Sequence, residues 1–410
     1  ELMALLGDPQ DKLKVLHVAG TNGKGSVCRY LYSVLQENGY RTGLYTSPFL
    51  EVFNERIELD GTYISDADLT EYTDRVLKQV QRMVDAGKQS PTEFEVITAI
   101  ALLYFYEKGA DYVVLEVGLG GRGDSTNVCK APLISVITSI SYDHTDRLGD
   151  TLAKIAWEKS GIIKDGCPVV TSAKAPEALE VIEQTAAEHH ALFFETRHIP
   201  YKVKEQGLDG SCFDVDFQGV LFEDLRISMV GAHQIENAIA ALAAINLLEE
   251  RSEVRIQKDK LYSGLRKAKQ IGRFEVLTAP DAKPVVIIDG AHNPDGAKVL
   301  RDAMKTFCPS QRILIVTGML ADKDTTGILR SFRDITTDFI ATEPVNPRSM
   351  TKEALKDALQ AQGARCLELL EPEAAVEEAL RRKEDYDVIL FAGSLYLIGQ
   401  IRGMLREAVR

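Results

Sequence analysis

Apolar residues along this chain fall into blocks of two kinds. Short apolar-rich runs at residues 15–18, 40–45, 112–117 and 133–140 have the length and composition of buried strands. The segments between them carry helical spacing. Val27, Tyr30, Leu31, Val34 and Leu35 recur at intervals of three and four, residues 66–83 follow Ser65 as a suitable N-cap, and residues 94–106 and 151–164 complete the set. Residues 192–229 read as β-rich and 231–248 return to helix. After a basic stretch at 266–273 a fresh alternation begins, with candidate strands at 285–288, 313–316, 339–341 and 388–391. This order predicts a doubly wound α/β domain with a mainly parallel sheet over residues 1–271. A smaller Rossmann-like α/β domain is expected over 272–410.

In such sheets ligands bind beyond the carboxyl ends of the strands. Four polar features fall there: the loop beginning at Gly20, then Ser47, Glu116 and His144. The first is the most informative. Residues 15–26 read VLHVAGTNGKGS, which is a strand, a turn with Gly20, Gly23 and Gly25, and a helix start that includes Lys24. Backbone N–H groups around Thr21, Asn22 and Ser26, the positive end of the helix dipole and the Lys24 ammonium would converge on one anion, as in a phosphate cradle. The spacing departs from G-x-x-x-x-G-K-[ST]. Val18 stands five residues before Gly23, and Gly25 takes the hydroxyl position with Ser26 one later. The first domain is therefore expected to be of P-loop type.

Composition narrows the partners. A net charge of −13 over 410 residues gives no support to nucleic acid or an anionic membrane as ligand. No apolar run reaches the roughly 18 residues of a membrane span, and no basic segment followed by an apolar one opens the chain. Six scattered cysteines without a C-x-x-C favour reduced thiols over zinc or disulfides, so a cytoplasmic location is expected, with a monomer as the default.

Several residues have both a structural and a chemical reading. Glu116 ends an apolar strand, where its carboxylate either binds Mg²⁺ or accepts hydrogen bonds from the glycine-rich turn after it. Ser47, in a Ser-Pro turn, could add a hydroxyl ligand. His144 is either structural, capping a helix or bonding a backbone carbonyl, or part of a metal site. Lys159, taken by itself, reads as a solvated helix lysine. Residues 289–294, DGAHNP, follow the first strand of the second domain, where Asn293-Pro294 is also a helix-start signal. Arg273, beside Gly272 at the domain junction, is either a phosphate ligand or a surface residue.

The motifs together resemble the Mur ligase superfamily, and within it the bacterial folylpolyglutamate synthases, with or without dihydrofolate synthase activity. The matching segments include HVAGTNGKGS at 17–26, TSPFLEVFNERI at 46–57, EVGLGGRGDSTNV at 116–128 and SYDHTDRLGDTLAKIAWEKSGIIK at 141–164. GAHQIENA at 231–238, GRFEV at 272–276, DGAHNPDG at 289–296, LADKD at 320–324 and GSLYLIG at 393–399 complete them. Two departures stand out. Gln270-Ile271 replace the family's usual Trp-Pro at the hinge, and Gly123 and Ser125 vary the G-G-R-x-D-A-T-N segment.

The resemblance implies an ATP-binding Mur-ligase-like domain over 1–271 and a glutamate-ligase domain over 272–410. It implies that the loop Thr21, Asn22, Gly23, Lys24, Gly25 and Ser26 holds the ATP phosphates. Ser47 and Glu116 would bind one Mg²⁺, and Glu116 with His144 a second. Lys159 matches the lysine that is carbamylated in the superfamily, which displaces the solvated reading above. Asn237, Arg273, Asp289 and His292 would contact the nucleotide across the interdomain cleft. Pro48, Phe49, Asn54 and Arg56 would lie beside the folate. The implied substrates are ATP, L-glutamate and either a reduced folate or dihydropteroate. Two rivals remain: a Mur-type ligase of cell-wall precursors, and a nucleotide-binding regulatory module without a ligase step.

Overall fold

The computed structural model describes residues 1–409. The chain divides into two compact units. The first comprises Glu1–Lys202, Phe213–Arg226 and Gln234–Lys269, and the second Val203–Cys212, Ile227–His233 and Gln270–Arg410. A single cut near residue 271 therefore meets the start of the last segment but assigns two short earlier segments to the other side.

In the first unit the strands are β1 (Val15–Ala19), β2 (Thr42–Tyr45), β3 (Ile57–Leu59), β4 (Thr62–Tyr63), β5 (Tyr112–Glu116), β6 (Ile134–Ile137), β7 (Val169–Thr171) and β8 (Phe193–Glu195). They form one sheet in the order β4-β3-β2-β5-β1-β6-β7-β8. All pairs are parallel except β2 with β3 and β3 with β4. The central strands β1, β5 and β6 are buried along their whole length, as a sheet covered on both faces requires. Helices Glu93–Glu107 and Asp66–Asp85 belong to one apolar cluster of this unit, and helices Leu152–Ser160 and Pro176–Glu188 to a second.

A three-stranded sheet follows, β9 (Tyr201–Gly207), β10 (Gly210–Phe217) and β11 (Val220–Ile227), in the order β11-β10-β9. The second unit contains β12 (Glu275–Val276), β13 (Val285–Asp289), β14 (Ile313–Thr317), β15 (Asp338–Thr342), β16 (Arg365–Leu370) and β17 (Val388–Ala392). Its sheet order is β12-β13-β17-β14-β15-β16, parallel except for the edge pair β12–β13. Both units are thus doubly wound α/β folds with mainly parallel sheets.

Some boundaries differ from the sequence expectation for identifiable reasons. The run at 133–140 leaves the sheet at Ile137, because Thr138 to Ser141 turn aside to bond the glycine loop. The helix expected over 151–164 spans Leu152–Ser160, with the Thr151 hydroxyl accepting from the Lys154 N–H. Its end lies against the loop after β5. A Cβ on Gly161 would meet the Arg122 Cα at 2.3 Å, so only glycine allows this approach. The short strands β3, β4 and β12 and the half-buried β16 carry too little apolar patterning to have been expected.

Candidate active site

The glycine loop follows β1 and opens the helix Lys24–Glu37, with Gly23 as N-cap at φ 90°. That left-handed conformation suits glycine, and a Cβ there would lie 2.5 Å from the Asn237 Oδ1. Asn237 is therefore seated against the loop, and its amide donates to the Gln234 Oε1 at 3.1 Å. The loop is fastened to the segment after β6. The Thr21 N–H donates to the Ser139 carbonyl at 2.7 Å, and the Thr21 hydroxyl and Ser141 backbone bond each other at 3.1 Å. The Asn22 carbonyl accepts from the Thr138 and Ser139 hydroxyls at 2.7 and 3.1 Å. Gly25 and Ser26 lie in the first turn of the helix, Ser26 buried.

Lys24 folds back on its own loop, donating to the Gly20 carbonyl at 2.9 Å and the Thr21 carbonyl at 3.1 Å. Lys159 donates to the same Gly20 carbonyl at 2.9 Å. Its side chain is buried, at 4% exposure, so Lys159 is not the solvated helix lysine that its sequence neighbourhood suggests. Burial, with the Lys24 charge beside it, pulls its amine down to about 7.

The loop after β5 holds the Lys159 helix. The Arg122 N–H donates to the Glu158 carbonyl at 2.7 Å, and the Asn127 amide donates to the Arg122 and Gly161 carbonyls at 3.1 and 3.0 Å. A Cβ on Gly121 would stand 2.8 Å from both the Glu158 and Lys159 carbonyl oxygens. The loop itself is ordered by Asp124, whose carboxylate accepts from the Leu119 and Thr126 N–H groups and the Thr126 hydroxyl. Thr126 in turn meets the His17 Nε2 of β1 at 2.9 Å.

Glu116, at the end of β5, is buried and accepts the Ser47 N–H at 3.2 Å, so these two expected metal ligands are neighbours. His144 begins the short helix Thr145–Leu148 at φ 49°, and no side-chain hydrogen bond caps that helix, so the capping reading fails. Its ring is 42% exposed, and Nε2 lies 3.8 Å from the Asp143 Oδ1. Among the described residues no three His, Cys, Asp or Glu side chains gather as a metal site. The donor set near the loop, one buried carboxylate and a serine, suits a hard cation that takes its remaining ligands from phosphate and water. Magnesium fits that description.

The segment after Ser47 folds as a short loop and a 3-10 turn, Phe53–Arg56, leading into β3. One buried carboxylate organises it: Glu55 accepts the N–H groups of Leu50 at 2.7 Å, Glu51 at 2.9 Å and Val52 at 3.0 Å. Sequence reasoning did not single Glu55 out. Its only signal was an acidic residue a few positions after unpaired amides, a pattern common to many turns. The Arg56 guanidinium lies over the Phe49 and Phe53 rings at 5.2 and 5.6 Å, and its Nε is buried without a hydrogen-bond partner. Phe49 remains 38% exposed. Pro48 joins this loop to Ser47. Asn54 is occupied structurally, donating to the Ile64 carbonyl and the Asp66 carboxylate at 2.7 and 2.9 Å.

In the second unit, Asp289 ends β13 and accepts the Phe274 and Ala291 N–H groups, each at 2.7 Å. Burial raises its pKa against the opposing pull of Arg273. Arg273 and His292 both bond the Gly290 carbonyl, at 3.2 and 2.8 Å. The preceding turn is braced by Glu275, which takes the Gly272 N–H and pairs in two-pronged fashion with Arg402. Asn293 caps helix Pro294–Phe307 by accepting the Gly296 N–H at 2.7 Å, as the Asn-Pro pair predicts. Arg273, Asp289 and His292 thus form one cluster, and the surface reading of Arg273 gives way to a half-buried position within it.

Comparison with known proteins places this geometry. Residues 18–245 match the Mur ligase middle domain, and residues 272–395 match the Mur ligase glutamate ligase domain. A dihydrofolate synthase/folylpolyglutamate synthase of Bacillus subtilis is 39% identical over 409 residues, which cover 99% of this chain and 94% of that protein. A Mycobacterium tuberculosis folylpolyglutamate synthase, solved with ADP and AMPPCP, is 31% identical with a TM-score of 0.90 over 98% of this chain and 93% of that one. An Escherichia coli protein solved with DHPP and ADP is 31% identical, with a TM-score of 0.87 over 100% and 93%.

Proposed function

The chain belongs to the Mur ligases, in the folylpolyglutamate synthase/dihydrofolate synthase group, and from that membership we propose how its own residues carry out ATP-dependent ligation of L-glutamate to a pteridine-bearing acid. The observation that carries the reading is the convergence of Lys24 and Lys159 on the glycine loop, beside the neighbours Ser47 and Glu116.

A carboxylate is a poor electrophile, and transfer of the γ-phosphoryl group of ATP converts it to an acyl phosphate. The Thr21 and Asn22 N–H groups are held by Ser139, so the loop offers the phosphates the N-terminus of the helix that opens at Lys24, Gly25 and Ser26. Lys24 releases the Gly20 and Thr21 carbonyls and turns its ammonium to the charge that builds on the transferring oxygens. Ser47, Glu116 and His144 are the residues proposed to hold Mg²⁺, which when bound would neutralise phosphate charge. Lys159, buried and easily deprotonated, is chemically suited to carbamylation: a neutral amine can attack carbon dioxide, and the product is an anion that the Lys24 cation would favour. The amine of L-glutamate then attacks the acyl carbon and phosphate leaves. Asn237 against the loop, and the cluster of Arg273, Asp289 and His292, are the proposed nucleotide contacts. Pro48, Phe49, Asn54 and Arg56 are proposed for the acceptor side, Asn54 through the fold of its loop.

For chain elongation the activated group is the terminal γ-carboxylate of a reduced folate; for dihydrofolate synthesis it is the carboxylate of dihydropteroate. The enzyme is proposed to act as a cytoplasmic monomer. The test is ADP release with ATP, Mg²⁺ and L-glutamate in the presence of each acceptor. Release that needs both acceptor and amine supports the ligase. Release with neither would favour a nucleotide-hydrolysing module, and silence with both pteridine acids would favour a ligase of cell-wall precursors.

A further inference from the structure

We infer that Glu55 is a positioning residue for the acceptor substrate, acting by holding the 47–56 loop in shape; the assignment rests on the folate reading above. Glu55 is buried, at 6% exposure, yet its neighbours Glu51 and Val52 are exposed, so the carboxylate lies beneath a surface loop. Its two oxygens take three consecutive main-chain N–H groups, Oε2 from Leu50 and Oε1 from Glu51 and Val52. Backbone bonds close the two ends of this stretch. The Thr46 N–H donates to the Arg56 carbonyl at 3.1 Å, and the Glu55 N–H to the Val52 carbonyl at 3.1 Å.

What the carboxylate holds is chemically specific. At one end of the loop the Ser47 N–H bonds Glu116, the proposed metal ligand. At the other, Arg56 lies over the rings of Phe49 and Phe53, themselves 5.9 Å apart. A half-exposed aromatic ring backed by a cation is a surface for a flat, conjugated ring system. Glu55 sets the distance between that surface and the phosphoryl-transfer end of the site without touching either reactant. Its carboxylate ties residues 50–52 together, and a neutral amide cannot replace it. In Glu55→Gln one oxygen becomes an NH₂ that faces at least one N–H donor, so bonds are lost and two donors oppose each other.

The experiment compares the full-length wild type with Glu55→Gln and Glu55→Asp, reading KM for the pteridine acid and for ATP separately, with thermal melting as the control for folding. Amide hydrogen exchange of Leu50, Glu51 and Val52 is measured alongside in the wild type. The expected result is a rise of about tenfold or more in acceptor KM for Glu55→Gln, the scale of a misplaced positioning group, with ATP KM within about twofold. Glu55→Asp, which keeps the charge on a shorter stem, falls between. The three wild-type amides exchange slowly despite the loop's exposure. Equal losses in both KM values, an unchanged acceptor KM, or fast exchange of all three amides would overturn the assignment while leaving the ligase reading intact. If Glu55→Gln does not fold, Glu55→Asp and the exchange measurement decide. A wild type that turns over neither pteridine acid would overturn the reading beneath it, and the assignment with it.

Discussion

Lys24 and Lys159 donate to the same backbone oxygen, the carbonyl of Gly20, each at 2.9 Å. Two cations gathered on one acceptor are stable only if another charge compensates or one of them gives up its proton. Burial and the Lys24 charge push Lys159 toward the second course, against the pull of Asp143, Asp124 and Glu158. Moving the Lys159 amine from its usual 10.5 to about 7 corresponds to about 5 kcal/mol against the charged form. A phosphate on the loop would supply the first course for Lys24, and a carbamate on Lys159 would supply it within the protein.

This arrangement makes stability depend on pH in a stated direction. The Lys159 proton is held more weakly in the folded chain than in the unfolded one, so the penalty is complete below about 7 and is relieved as pH rises toward 10.5. Lys159→Met removes that penalty. Its melting temperature should exceed the wild type's by about 4 °C or more near pH 6, with the gap narrowing by about pH 9. A gap independent of pH would contradict the assignment.

The same residue should matter for turnover. Lys159→Ala is expected to lower kcat about a hundredfold, with partial recovery on adding a small carboxylate such as acetate, the logic of replacing one lost charge near the transferring group. Full activity without any rescue agent would remove Lys159 from the chemistry.

Lys24→Ala should lower ATP turnover by about a hundredfold or more, because the donor lost is the one proposed to meet the charge of the transition state. Near-normal turnover would mean that Lys24 merely ties its own loop through Gly20 and Thr21.

Glu116→Gln should shift the Mg²⁺ concentration for half-activation upward by about tenfold or more. An unchanged titration would leave Glu116 a structural role, such as its bond to the Ser47 N–H.

Gly121→Ala tests whether the loop after β5 sets the Lys159 helix. A Cβ there meets two carbonyl oxygens of that helix at 2.8 Å, an overpacking expected to cost about 1–3 kcal/mol in stability. Equal stability, read by denaturant unfolding, would show that the helix can move aside.

These residues also show what the sequence could and could not reveal. The loop at residues 20–26, Glu116 and residues 289–294 stood out because each follows an apolar run, and runs of that kind report strands directly. Lys159 did not, because the groups it meets, the Gly20 carbonyl that takes its amine and the Gly121 backbone close on its helix, lie far off in sequence, while its neighbours Lys154 and Glu158 look solvated. Glu55 was invisible for a similar reason: its partners are backbone N–H groups, which have no sequence identity. For His144 the sequence left a structural and a metal role open, because its left-handed backbone cannot be told from residue type alone. The fold emerged where periodicity was strong, and the short strands β3, β4 and β12 were lost where it was not.

The most direct test uses an acceptor whose reacting carboxylate is labelled with ¹⁸O, incubated with the enzyme, ATP, Mg²⁺ and L-glutamate. The account predicts a product heavier by one glutamyl residue and one ¹⁸O atom delivered to inorganic phosphate in each turnover, since the acyl phosphate loses an oxygen that began on the acceptor. A glutamylated product formed with the displaced ¹⁸O in water or AMP and none in inorganic phosphate would contradict the acyl phosphate, and ADP formation without any glutamylated pteridine product would contradict the ligase itself.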